Sequence, residues 1–168
     1  MTQIMKPVNH NIHQYTPAWI GEGLACNFDL DPCGPAGNYP MRSWIRKTYA
    51  LERGEDGLTL PWTAPSSSRS FVWLNPPWTR GVKGRWLTKL AKHKYGIALA
   101  RGTLDTGWLH DNVPDAIFAL RGKVRYVTPE GGEAKSTAVQ PSMLLAYGFR
   151  AKDILANCEL DGFYMEVA

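Results

Sequence analysis

Disulfide chemistry has little to work with here. Three cysteines in 168 residues, Cys26, Cys33 and Cys158, include no CxxC pair, so neither a disulfide framework nor a zinc knuckle is expected and the thiols read as reduced. No stretch approaches the roughly 18 to 20 uninterrupted apolar residues that a membrane span requires. The first residues, Met1 to His13, are polar and lack the apolar segment of a secretory signal, which gives the expectation of a cytoplasmic protein. His10 and His13 stand three apart in that tail without a third ligand, and no metal site is expected. Internal repeats are absent, and the one low-complexity piece, Ala64-Pro65-Ser66-Ser67-Ser68, reads as a surface loop. What remains, 44% hydrophobic and 20% charged, suits one compact globular domain over residues 15–168 behind a flexible tail, 1–14.

One further absence is informative. No Asp or Glu occurs between Gly57 and Leu104, while Arg69, Arg80, Lys83, Arg85, Lys89, Lys92, Lys94 and Arg101 all fall there. A cationic face attracts a phosphate backbone through its long-range field and through counterion release, so nucleic acid is one natural partner. A solvated helix face without acids is the other reading of the same charges.

Four apolar runs read as buried strands: Phe28 to Leu30, Phe71 to Leu74, Ile97 to Ala100, and Met143 to Tyr147. Ala116 to Leu120 and Lys123 to Val127 are further candidates. Between the second and third runs, Val82, Trp86, Leu87, Leu90 and Ala91 recur at helical spacing with most of the lysines and arginines opposite, the pattern of an amphipathic helix. A short helix is expected over Tyr15 to Gly23, with Thr16 as N-cap and Pro17 at the first helical position. Strands without alternation, separated by helices, predict an α/β fold with a mostly parallel sheet flanked by helices. Ligands of such sheets sit beyond the carboxyl ends of the strands.

After Phe28-Asp29-Leu30 comes Asp31-Pro32-Cys33-Gly34-Pro35-Ala36-Gly37. A carboxylate at a strand end followed by a glycine-containing turn can take an ammonium or hydroxyl while the backbone approaches a ligand closely, and it is equally common turn chemistry. After Phe71-Val72-Trp73-Leu74 comes Asn75-Pro76-Pro77-Trp78. Consecutive prolines fix two φ angles and remove two amide donors, leaving the first proline's carbonyl outside any regular turn. With the Asn75 side-chain oxygen it offers two acceptors, matched to the two hydrogens of an exocyclic amine, and Trp78 offers a face for a base to stack on. The plainer reading is a rigid turn with a buried tryptophan. Cys33 as a nucleophile for carbon methylation is disfavoured, because that chemistry needs a Pro-Cys motif where the chain has Asn75-Pro76-Pro77. Trp86 reads as packing.

These pieces, in order, resemble the bacteriophage and prophage DNA N-6-adenine-methyltransferase family, often called Dam-like. The resemblance covers residues 15–148. It is carried by Tyr15-Thr16-Pro17-Ala18-Trp19, by Phe28 to Gly34, by Asp56-Gly57-Leu58 with Trp62, and by Asn75 to Trp78. Thr103-Leu104-Asp105-Thr106-Gly107-Trp108 and Leu120-Arg121-Gly122-Lys123 complete it.

The resemblance implies a Rossmann-like methyltransferase fold in a bacterial host cell, S-adenosylmethionine as methyl donor, and the 6-amino group of a flipped-out DNA adenine as acceptor. It carries over catalytic roles for Asn75, Pro76, Pro77 and Trp78, and cofactor roles for Thr16, Pro17, Trp19, Asp31, Pro32, Gly34 and Asp56. DNA contacts are expected from Arg80, Lys83, Arg85, Arg101, Thr103 and Asp105. Two departures stand out. Trp78 replaces the commoner Tyr or Phe, which leaves a cytosine amine as an alternative acceptor, and the turn after Asp31 lacks a full GxGxG. An RNA acceptor, or a catalytically silent nucleic-acid-binding module of the same fold, are further alternatives.

Overall fold

The structure, a computed structural model, describes residues 14–63, 69–79, 81–128, 130–134 and 141–167. The chain is α/β, with seven strands in one sheet and helices packed against it. The strands are β1 (Phe28–Asp31), β2 (Ile45–Thr48), β3 (Val72–Leu74), β4 (Gly96–Arg101), β5 (Ala116–Leu120), β6 (Ser142–Tyr147) and β7 (Gly162–Glu166). The helices are α1 (Ala18–Leu24), α2 (Lys83–His93), α3 (Gly107–His110) and α4 (Phe149–Asn157), with short 3-10 turns at Pro40–Trp44 and Leu51–Arg53. Among the described residues no helix is long and apolar enough to cross a membrane.

The spatial order is β2-β1-β3-β4-β6-β5-β7. β1 pairs in parallel with β2 and β3, and β3 with β4, whereas the β4/β6, β6/β5 and β5/β7 pairings are antiparallel. The expected parallel sheet is therefore found on the β2 to β4 side only. Parallel neighbours need a covering crossover such as α2 between β3 and β4, and the segment between β5 and β6 shows no helix among its described residues, so β6 enters in the opposite direction.

Successive side chains of a strand point to opposite faces. Here both faces are covered. Phe28, Phe71, Trp73, Ile97, Leu99, Leu144 and Ala146 pack with Ile20 and Leu24 of α1 and with Ala151 and Leu155 of α4. Leu30, Val72, Leu74, Ala98, Ala100, Leu145 and Tyr147 pack with Trp86, Leu87 and Leu90 of α2 and Leu109 of α3. Burial on both sides is why these strands read as unbroken apolar runs rather than alternating ones.

Two further expectations change. Lys123 to Val127 is not a strand, although Val124 and Tyr126 are buried. β5 already carries β6 on one side and β7 on the other, so this segment cannot pair with the strand it follows, and Val127 alone bridges to Tyr15 and Glu133. Thr16 does not cap α1: Pro17 is the extended N-cap residue, the helix begins at Ala18, and no side chain caps it. The tail residues 1–13 with His10 and His13, the loop Ala64 to Ser68, and Arg80 lie outside the described residues.

The loop that follows β2 returns to the turn that follows β1, and Gly57 is where they meet. A Cβ at Gly57 would stand 1.9 Å from the Pro32 carbonyl oxygen, so one backbone must move to admit it. Gly57→Ala is expected to cost about 3 kcal/mol and to lower Tm by roughly 10 °C in scanning calorimetry. An unchanged Tm would show that the two turns are not in register.

Candidate active site

β1 sends the chain outward to β2, and β3 sends it the opposite way to β4, so the two crossovers diverge from adjacent strands. At such a switch point the loops leaving the carboxyl ends part and leave a crevice. A cavity of about 220 Å³ opens there, lined by the turn after β1 (Asp31 to Pro35), the corner after β3 (Asn75 to Thr79), the segment Gln14 to Thr16, and Leu51 and Glu52 beyond β2. Trp73, Trp86 and Tyr39 complete its walls.

Asn75 is held by the N-terminal segment. Its side-chain nitrogen donates to the Gln14 carbonyl at 3.3 Å and to the Thr16 hydroxyl at 3.2 Å, which engages both hydrogens and fixes the direction of the carboxamide oxygen. That oxygen accepts from the Trp78 indole N–H at 3.4 Å, a long contact that leaves its second lone pair unengaged. Pro76 is buried, and among the described residues none donates to its carbonyl. The segment is itself anchored, since Tyr15 and Val127 exchange two backbone hydrogen bonds at 3.0 and 3.1 Å.

Asp31 is buried at the floor. Its carboxylate accepts from the Cys33 backbone N–H at 3.0 Å and from the Tyr39 hydroxyl at 2.9 Å, yet burial outweighs these bonds and pushes its pKa up to about 6. Gly34 is required beside it: a Cβ there would lie 2.5 Å from the Thr48 methyl and 2.8 Å from the Asp31 carboxylate. Burial and the neighbouring Asp31 charge push the Cys33 thiol well up, so it stays protonated and contacts the Asn75 carbonyl at 3.4 Å as a donor, not a nucleophile.

Thr16, Asp31, Pro32 and Gly34 thus line one cavity with Asn75, Pro76, Pro77 and Trp78. Pro17, Trp19 and Asp56 do not: Pro17 is the N-cap residue before α1, Trp19 is exposed, and the Asp56 carboxylate accepts from the Leu58 N–H in its own turn. Among the expected DNA contacts, Arg85, Thr103 and Asp105 are exposed. The Lys83 ammonium lies 5.7 Å from the Trp78 ring centre and 5.0 Å from that of Trp108. Arg101 turns inward, with its guanidinium 5.4 Å from the Trp78 ring centre and 4.1 Å from that of Tyr126, and donates to the Gln14 side chain.

Leu51, Glu52, Tyr39, Trp73 and Trp86 join the site without a sequence signal that marked them as such. Glu52 could have been found from its distance along the chain, since an acid about 20 residues beyond the first strand's turn is where nucleoside-binding α/β sheets place a ribose acceptor. Its carboxylate makes no hydrogen bond or ion pair with a described residue, while Arg53 and Glu55 beside it pin the turn to Thr48, Ala36 and Ala50. Comparison with protein-family models, with curated proteins and with solved structures gives no match to this chain.

Two outcomes test this geometry. Thr16→Val leaves a half-buried N–H of Asn75 without its acceptor and is expected to cost about 1 to 2 kcal/mol in urea denaturation, with Thr16→Ser restoring most of it. A loss in Thr16→Ser that Thr16→Val does not share would mean that the methyl packing matters and the hydroxyl does not. Asp31 sets a pH dependence. Its folded-state pKa, about 6, lies above the ordinary 3.8, so the folded chain holds a proton that the unfolded chain has released. Stability from this group is therefore complete below about pH 4 and is lost as pH rises through 6, by up to about 3 kcal/mol. Relative to wild type, Asp31→Asn should gain stability between these limits, and a difference independent of pH would overturn the assignment.

Proposed function

We propose that this chain is an S-adenosylmethionine-dependent methyltransferase acting on the exocyclic amino group of a DNA base, adenine foremost, on a Rossmann-like fold. The observation that carries the reading is the Pro76-Pro77 corner, where the Asn75 side-chain oxygen, fixed in direction from behind, and the undonated Pro76 carbonyl meet at one cavity. The likeness of the ordered motifs to the phage adenine-methyltransferase family supports it. So does the strand order on the β2 to β4 side, with the cavity at the switch point.

The residues of the cavity fit the methyl donor. The glycine turn is packed close against Thr48 and Asp31, Asp31 offers a carboxyl that titrates near 6, and Leu51 and Glu52 put an apolar surface and a carboxylate on the rim. Asp31 and Pro32 to Gly34 would hold the amino-acid part, and Glu52 the ribose hydroxyls, as bidentate acceptor. A cation beside Asp31 favours its ionised form. When bound, this cofactor supplies an electrophilic methyl group on a sulfonium centre.

An aromatic amine is a poor nucleophile because its lone pair is delocalised into the ring. Asn75 Oδ1 and the Pro76 carbonyl accept its two hydrogens and draw them out of the ring plane, which concentrates the lone pair on nitrogen. Trp78 stacks on the base, a contact worth about 1 to 3 kcal/mol. The base must leave the helical stack to reach these groups. Once nitrogen is alkylated its proton is acidic and passes to water, so the chain needs no strong base. Placement accounts for most of the rate.

Asn75→Ala is expected to abolish methyl transfer to DNA, a loss of at least about 100-fold for one such acceptor, in a tritiated-methyl assay, while calorimetry shows the methyl donor still bound. Activity retained by this variant removes the reading. Digestion of treated DNA identifies the acceptor: N6-methyladenine is the expected product, and N4-methylcytosine would move the same mechanism to the other base.

A further inference from the structure

A second concavity lies on the outer side of α2, between that helix and α3. It is a groove of about 670 Å³ whose lining includes Arg85, Thr88, Lys92, Trp108 and Asp111. It is distinct from the cavity but not separate from it. Lys83, on the first turn of α2, stands over Trp78 at the cavity and over Trp108 in the groove, at 5.7 and 5.0 Å, so an aromatic-cation-aromatic row joins the two. Arg85 and Lys92 are exposed and make no ion pair or hydrogen bond with a described residue. Lys89 between them is different, since its ammonium donates to the carbonyls of Gly57, Leu58 and Leu60 at 2.9, 3.0 and 2.6 Å and has no hydrogen left to offer. Asp111, also exposed, is the acid on this lining.

Unpaired cations along a helix, with flat aromatic rings at the end nearest the reaction site, make the arrangement that binds an unstacked nucleic-acid strand: charge tracks the backbone and rings take bases. The exposed side chains of this lining, Arg85, Lys92 and Asp111, are charged, with the cations in excess, which suits a phosphate backbone. Arg85 to Lys92, about two helical turns apart and so on one face of α2, spans about 10 Å along the helix axis.

We propose that the groove between α2 and α3 carries the sugar-phosphate backbone of the DNA strand whose target base enters the cavity, with Arg85 and Lys92 as its phosphate contacts and Trp108 as the platform for a neighbouring base. This rests on the methyltransferase reading for which strand is bound, and not for whether the groove binds DNA. Asp111 opposes the backbone and limits how tightly the groove holds it.

Fluorescence anisotropy of the full chain with a short labelled DNA oligonucleotide, over a series of KCl concentrations, tests it. Arg85→Ala and Lys92→Ala are each expected to weaken binding about five- to tenfold near 0.1 M salt and to reduce the slope of log K against log salt by about 0.7 to 0.9. Asp111→Asn should tighten binding by a few-fold, an effect that misfolding does not produce. Unchanged affinity and slope in both cation variants overturn the proposal, and so does tighter binding of an RNA oligonucleotide of the same sequence. Uptake of S-adenosylmethionine by the wild-type chain, read by calorimetry, reports on the reaction independently. DNA bound through Arg85 and Lys92 by a chain that takes up no donor keeps the groove and discards the methyl transfer.

Discussion

The site exists because β1 and β3 are neighbours whose chains leave in opposite directions. Leu30 registers with Val72 across that pair, so the two strands end together, and the turns they feed, one starting at Asp31 and one at Asn75, are held side by side by the sheet itself. The alignment is stiffened beneath by Phe28 stacked on Phe71 at 5.1 Å and 5°, and above by the Cys33 thiol against the Asn75 carbonyl. A slip of one residue in this pairing would turn every side chain of one strand to the other face and separate the two turns. Adjacency of an acid turn and a Pro-Pro corner is thus a property of strand register before it is a property of any single residue.

Within that frame, the two oxygens at the corner are set by opposite means. The Pro76 carbonyl is left undonated by subtraction, because the two fixed proline φ angles shape the corner so that no described N–H reaches it. The Asn75 oxygen is aimed by addition, because Gln14 and Thr16 take both hydrogens of the amide and forbid the flip that would exchange oxygen for nitrogen. The segment that does this is remote in sequence and tied down by Val127, and Arg101 grips Gln14 from the far side. The cost of fixing a side chain is met in the folded chain rather than at the moment a ligand arrives, and this is the sense in which a site is preorganised.

Much of the interior was legible in the sequence and its edges were not. Five expected strands coincide with β1, β3, β4, β5 and β6, and the expected helix after Val82 with α2. These elements are buried on both faces or on a wide stripe, so their composition reports their place. The two strands missed, β2 and β7, are the two edges of the sheet. Ile45-Arg46-Lys47-Thr48 buries only its ends, and Gly162-Phe163-Tyr164-Met165-Glu166 is nowhere fully buried, so neither carries an apolar run. Missing β2 also concealed Leu51 and Glu52, whose place on the cavity rim follows from a strand that periodicity does not reveal. Lys123 to Val127 erred the other way: Val124 and Tyr126 alternate with exposed neighbours as a strand would, but β6 and β7 already flank β5, and the segment pairs only through isolated bridges at Val127. The Asn75 corner was readable because prolines act locally, whereas the partners of its amide, 59 and 61 residues away, were not.

The acid-free stretch from Gly57 to Leu104 shows why a charge count is a weaker guide than charge placement. Lys94 pairs with Asp115 at 3.3 Å, Lys89 is consumed by three carbonyls, and Arg101 is turned inward between Trp78 and Tyr126. Each was counted as part of a basic face, and each is spent on holding the fold or the site. A cation whose donors are satisfied inside the chain still contributes to the long-range field but makes no contact with a phosphate, so it steers without gripping. Arg85 and Lys92, left without a described partner, share one groove, and that groove meets the Pro76-Pro77 corner through Lys83. Of the cations in this stretch, those left after internal pairing on α2 lead along one helix toward the cavity, which is the placement that the proposed strand contact requires.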